Sequence, residues 1–132
     1  HDDIGVPPQL ERQRVAQVIA LIRAEAPRAR IALVTVFPGR KRPPAAYRTD
    51  DAIVTAARAA DPRVIIMDPL TADWVFPRTR DGLHPTAAGD AWITRKVAAV
   101  LGQRGVRPAP PRAGAAGPVI CDSGIPARPQ AR

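Results

Sequence analysis

The sequence predicts an α/β protein built around a parallel sheet. Two observations predict it. Apolar residues recur at helical spacing in three segments, and between them stand two short, almost unbroken aliphatic runs, residues 31–36 (IALVTV) and 64–67 (VIIM). Near-continuous apolarity suits strands covered on both faces, as parallel strands are. The order strand, helix, strand implies a parallel pair joined by a right-handed crossover.

Each element has its own signal. Pro7-Pro8 opens a first helix that runs to about Ala26. Val15, Val18, Ile19, Ile22 and Ala26 form its apolar face, Glu11, Arg12, Arg14, Arg23 and Glu25 lie mostly off it, and Pro27 stops it. The strand at 31–36 follows, bounded by Arg30 and Phe37-Pro38. Residues 39–47 read as a basic loop. Thr49 suits an N-cap, with Asp50 and Asp51 in the first turn, where the helix dipole favours anions. That helix continues through Ile53, Val54, Ala57 and Ala60. The strand at 64–67 is closed by Asp68-Pro69, and a long loop spans 70–80. A last helix starts at Pro85, carries Ile93, Val97, Val100 and Leu101 on one face, and stops at Gly102.

The chain of 132 residues is thus read as one α/β domain, 1–103, and a tail, 104–132, rich in Pro, Ala and Arg. Such a tail buries too little apolar surface to offset ordering entropy and is expected to be disordered. Its one apolar run is Val119-Ile120-Cys121. The net charge is +8. Five arginines against Asp122 place half of that excess in the tail. Without aromatic interleaving or a recognised module, no nucleic-acid partner is expected. No apolar run approaches the roughly 18 residues of a membrane span. A single cysteine excludes an internal disulfide and says nothing of the compartment. The chain begins at His1 without a signal-peptide pattern, as a processed, excised or truncated product would.

The chemistry concentrates in Asp81-Gly82-Leu83-His84-Pro85-Thr86-Ala87-Ala88-Gly89. Ligands of open α/β sheets bind beyond the carboxyl ends of the strands, and this segment lies between the second strand and the last helix. Asp81 is about one turn from His84. Its carboxylate could accept the Nδ1 proton, fix the tautomer and leave Nε2 as a base. His84 is read at the N-cap of the last helix, where the dipole opposes protonation. The alternative is that both residues only cap a helix and fill a turn. The one serine, Ser123, and the one cysteine, Cys121, lie in the tail, so the folded part shows a base without a nucleophile.

This stretch, with the apolar helix after it, resembles the last sequence block of the SGNH (GDSL-type) hydrolases. The helix–Pro27–strand pattern and Asp61-Pro62-Arg63-Val64-Ile65-Ile66-Met67-Asp68 agree with it over roughly residues 1–102. The resemblance implies a flavodoxin-like three-layer α/β/α fold and a serine esterase or lipase-like acyl hydrolase. Asp81 and His84 would be the acid and base of its triad. It implies no metal and no organic cofactor, and a substrate that is a carbohydrate, lipid or small ester. Hydrolase or acyltransferase, oligomeric state and compartment stay open, a secreted or cell-envelope location among the options.

Two departures matter. His1-Asp2-Asp3-Ile4 resembles the end of the family's G-x-N-D block, placing Asp2 where an Asn donates to the oxyanion. An ionised carboxylate cannot donate there; the alternative alignment puts His1 at that position. The strand carrying the G-D-S nucleophile would precede His1. The chain is therefore expected to be the C-terminal part of such a domain and to hydrolyse esters poorly or not at all alone. A non-catalytic remnant or binding module is the rival reading. Residues 119–123 (VICDS) also resemble a nucleophile strand in permuted order, which would make Ser123 the nucleophile. No helix can follow there, with Pro126 and Pro129 among the last nine residues.

Three further features weigh less. His1 with His84 resembles a copper-binding histidine brace, but that belongs to β-sandwiches. Trp74, Phe76 and Trp92 are read as packing a loop rather than lining a substrate rim. Arg40-Lys41-Arg42 is read as a solvated loop rather than an anion contact.

Overall fold

The computed structural model describes residues 5–39 and 41–106. The elements are α1 (Pro8–Glu25), β1 (Ala32–Val34), α2 (Pro44–Ala60), β2 (Ile65–Met67) and α3 (Ala87–Gln103). The fold is mixed α/β, with a two-stranded parallel sheet among the described residues. Ala32 lies opposite Ile65, Leu33 opposite Ile66 and Val34 opposite Met67. Hydrogen bonds from Ile65 N to Ile31 O and from Thr35 N to Met67 O, both 2.9 Å, carry the ladder one residue past β1 at each end. The strands are shorter than their apolar runs, and past Thr35 the Val36 N–H donates to the Asp50 carboxylate rather than to β2.

The α1 and α2 helices pack on one another and on one face of the sheet. Ile19, Ala57 and Val64 are buried together, with Val15, Ile31, Leu33 and Ile66 against them. Ala52 and Ala57 have no exposed surface at all; their small side chains let the helices approach closely. Burying one such aliphatic side chain as large as Ile19 stabilises the fold by about 1.5–3 kcal/mol. Alternation along the strand sends the buried Met67 to the opposite face from Ile66.

The apolar face of α1 is narrower than its sequence suggests. Val18 is 55% exposed, whereas Glu11, placed mostly off the apolar face, is buried and lies 4.0 Å from Arg14.

Helix starts are the other corrections. Helix α2 begins at Pro44 with Pro43 as N-cap, not at Thr49. The fixed φ of proline suits the first helical position, where its missing N–H costs nothing. Thr49 and Asp50 therefore stand inside the helix, buried. Helix α3 begins at Ala87, not at Pro85, and Thr86 is its N-cap, accepting from Gly89 N at 3.2 Å. Pro85 instead forms an antiparallel bridge with Arg78. The helix does not stop at Gly102. It closes after Gln103 on Gly105, whose φ is +67°, with Val106 N on Leu101 O and Gly105 N on Gly102 O. This is a Schellman closure, which needs a residue at positive φ. Residues 107–132, with Cys121, Ser123 and nearly all of the proposed tail, lie outside the described residues.

Candidate active site

The segment between β2 and α3 is fixed from its first residue. Asp68 Oδ1 accepts from Thr71 N at 2.9 Å, Ala72 N donates to Asp68 O at 3.1 Å, and Trp74 N donates to Pro69 O at 2.9 Å. Asp73 sits at φ +51°, a conformation that aspartate tolerates better than most residues. Trp74 and Phe76 are each 6% exposed. They join Phe37 and Trp92 in a ring cluster with centroid separations of 5.6–6.3 Å. The rings thus bind this segment to α3 and to the end of β1, and two of the three aromatics read as loop packing are buried. Lys41 and Arg42 flank this region, and Arg42 pairs with Asp73; Arg40 lies outside the described residues.

Arg78 ties the same segment to the other strand end. Its Nη2 donates to the carbonyl of Pro38, a fully buried residue just after β1. Its Cζ lies 3.9 Å from the Phe76 ring centroid, a cation–π contact. Burial, then the nearby Arg42, lowers the guanidinium's affinity for its proton. The loop after β2 is thereby held beside the carboxyl end of β1.

On this base stands a tight turn. Gly82 takes φ +72°, where a Cβ would be strained, and its N–H donates to Thr79 O at 3.0 Å. Thr79 N donates to His84 O at 2.8 Å. Asp81 is the hub. Its Oδ1 accepts from Thr79 Oγ1 at 2.6 Å, Leu83 N at 2.8 Å and His84 N at 3.0 Å. Its Oδ2 lies 2.6 Å from His84 Nδ1. The hydroxyl of Thr79, then the imidazole and the Leu83 N–H, hold the Asp81 carboxyl well below the usual carboxylate range. An ionised carboxylate only accepts, so the shared proton belongs to Nδ1 and Nε2 is the nitrogen left to take a proton. The His84 side chain is 72% exposed, so that nitrogen can be reached from outside.

Asp81 and His84 are therefore brought together. The cap position assigned to His84 belongs to Thr86, two residues further along the chain. Asp2 and His1, the oxyanion candidates, lie outside the described residues. Reasoning from sequence missed Thr79 and Arg78, and it named Gly89 and Asp50 without their roles in holding this region together. Thr79 had a signal, since a Thr two residues before an Asp-Gly turn is placed to meet the carboxylate. Asp50, 3% exposed in α2, accepts from Val36 N at 3.1 Å and so fixes the turn after β1. Burial pushes its carboxyl up, against the Thr35 hydroxyl and the Val36 N–H, with Asp68 adding to the rise.

Among the described residues, no group of three or more His, Cys, Asp or Glu could hold a metal ion, and no helix is long and apolar enough to cross a membrane. No family model, curated protein or solved structure matches the chain.

Proposed function

We propose that Asp81 and His84 are the acid and base of a serine ester hydrolase of the SGNH type, whose sheet belongs to a flavodoxin-like three-layer α/β/α domain. The observation that carries this reading is the 2.6 Å contact between Asp81 Oδ2 and His84 Nδ1, with Nε2 open to the outside. The parallel register of β1 and β2, with this pair on the loop beyond their carboxyl ends, supports it.

The proposed chemistry is acyl transfer through a serine ester. His84 Nε2 takes the proton of a serine hydroxyl as its oxygen bonds to the ester carbonyl carbon. Asp81 stabilises the imidazolium that forms. The same proton passes to the leaving alkoxide as the ester C–O bond breaks. Water then repeats the sequence on the acyl-enzyme and releases the acid. The substrate is a carbohydrate, lipid or small acyl ester.

Residues 5–39 and 41–106 contain no serine or cysteine, so the nucleophile lies outside them. That same fact favours a second reading, a binding module that keeps the fold without catalysis. Labelling of the protein from its complete gene with a serine-directed fluorophosphonate separates the two. Labelling that is lost in His84→Ala supports the hydrolase; no labelling of either form supports the binding module.

A further inference from the structure

We propose that a second site, at the opposite end of the sheet from His84, binds a small molecule bearing phosphate or pyrophosphate. A cleft of about 400 Å³ opens there, beside the amino ends of β1 and β2. Five arginines line it: Arg23, Arg28, Arg30, Arg63 and Arg104. They come from the end of α1, the approaches to both strands and the end of α3, so the fold gathers them from distant parts of the chain.

Part of this charge is structural. Asp61 binds Arg23 Nε at 2.6 Å and Arg63 Nε at 3.0 Å, so both of its oxygens are committed. Arg23 Nη1 also donates to Pro27 O at 3.3 Å and to Ala29 O at 2.6 Å. Arg30 Nη1 donates to Gly105 O at 3.0 Å. These bonds hold three guanidinium groups, those of Arg23, Arg63 and Arg30, in place before any ligand arrives, which lowers the ordering cost of binding.

The rest of the charge has no such account. Five guanidinium groups share one carboxylate, a surplus of four positive charges at one cleft. Among the described residues, no carboxylate pairs with Arg28, Arg30 or Arg104. Planar guanidinium forks match the paired oxygens of phosphate, and a cleft of this volume falls in the size range of small-ligand pockets. The sequence after residue 106 carries four arginines and one aspartate, so its charge does not complement the cleft. The dense positive charge in a concave wall favours a compact polyanion over an extended duplex.

Titration of the chain with inorganic pyrophosphate at matched ionic strength, followed by amide NMR, tests this. Saturable one-to-one binding is expected, with shifts confined to residues 28–30, 63–65 and 104–106. The double variant Arg28→Gln, Arg104→Gln removes no hydrogen bond made by either side chain within the described residues, so its fold is expected to persist. It should weaken binding by about tenfold or more, the worth of a charged hydrogen bond. Shifts that do not saturate, equal affinity in the double variant, or duplex DNA displacing pyrophosphate would each overturn the proposal.

Discussion

A Cβ placed on Gly89 would stand 2.2 Å from the carbonyl oxygen of Pro77 and 3.0 Å from Cβ of Pro85. The first turn of α3 therefore touches the backbone that carries the Asp81–His84 turn, with Thr86 N donating to Pro77 O at 3.1 Å across the same gap. Gly89→Ala must push these segments apart. Overpacking of this kind costs about 1–3 kcal/mol. Gly102→Ala, in the same helix with nothing near its Cβ, should stabilise by about 0.5–1 kcal/mol. Urea unfolding of both variants checks this; equal midpoints would show that the contact does not matter.

Asp50 is expected to act through hydrogen bonding rather than charge. Asp50→Asn keeps an acceptor for Val36 N and removes a charge that burial disfavours, so its stability at neutral pH should match or exceed that of the parent. Asp50→Ala leaves the Val36 N–H without its acceptor and should cost about 1–3 kcal/mol. Equal loss in both variants would mean that the carboxylate's charge is what counts.

The class of fold was legible because strand, helix, strand is written in apolar periodicity, and the parallel register of Leu33 with Ile66 bears it out. Pairing of Asp81 with His84 was legible because three residues of a tight turn leave few other arrangements. Helix starts were not. Pro43-Pro44 carries the signal that marks α1 at Pro7-Pro8, yet Thr49-Asp50-Asp51 offered a stronger local cap and misplaced the N-cap by six residues. At α3 the rule of proline at the first helical position favoured Pro85, whereas the bridge to Arg78 holds Pro85 in extended backbone. The Arg78–Pro38 bond and the arginine cleft join segments distant in sequence, which no local pattern announces.

Acid sensitivity follows from two depressed carboxyls. Asp81 and Asp61 both hold their protons less tightly in the fold than in the unfolded chain, through Thr79 and His84 in one case and through Arg63 and Arg23 in the other. Their stabilisation is complete above the ordinary carboxylate value of about 4 and is lost as pH falls below it. Asp50 works in the opposite sense, gaining as pH falls through the window above that value. Urea midpoints between about pH 6 and pH 2 should fall steeply below pH 4, and less steeply in Asp81→Asn. Superimposable profiles would remove Asp81 from this account.

The tautomer of His84 can be read directly, since His1 is the only other histidine. In the neutral imidazole of His84, nitrogen NMR should show a protonated Nδ1 and a bare Nε2. In Asp81→Asn the preference should weaken or reverse, because the amide can also donate. A parent protein with the proton on Nε2 would contradict the assigned hydrogen bond.

The central claim is that His84 is the base of an ester hydrolase. Its most direct test is turnover of p-nitrophenyl acetate by the protein from its complete gene, with and without His84→Ala. The expected result is a loss of turnover on the order of 10⁴ or more, as for triad histidines elsewhere, with the melting temperature little changed. Unchanged turnover in His84→Ala would contradict it.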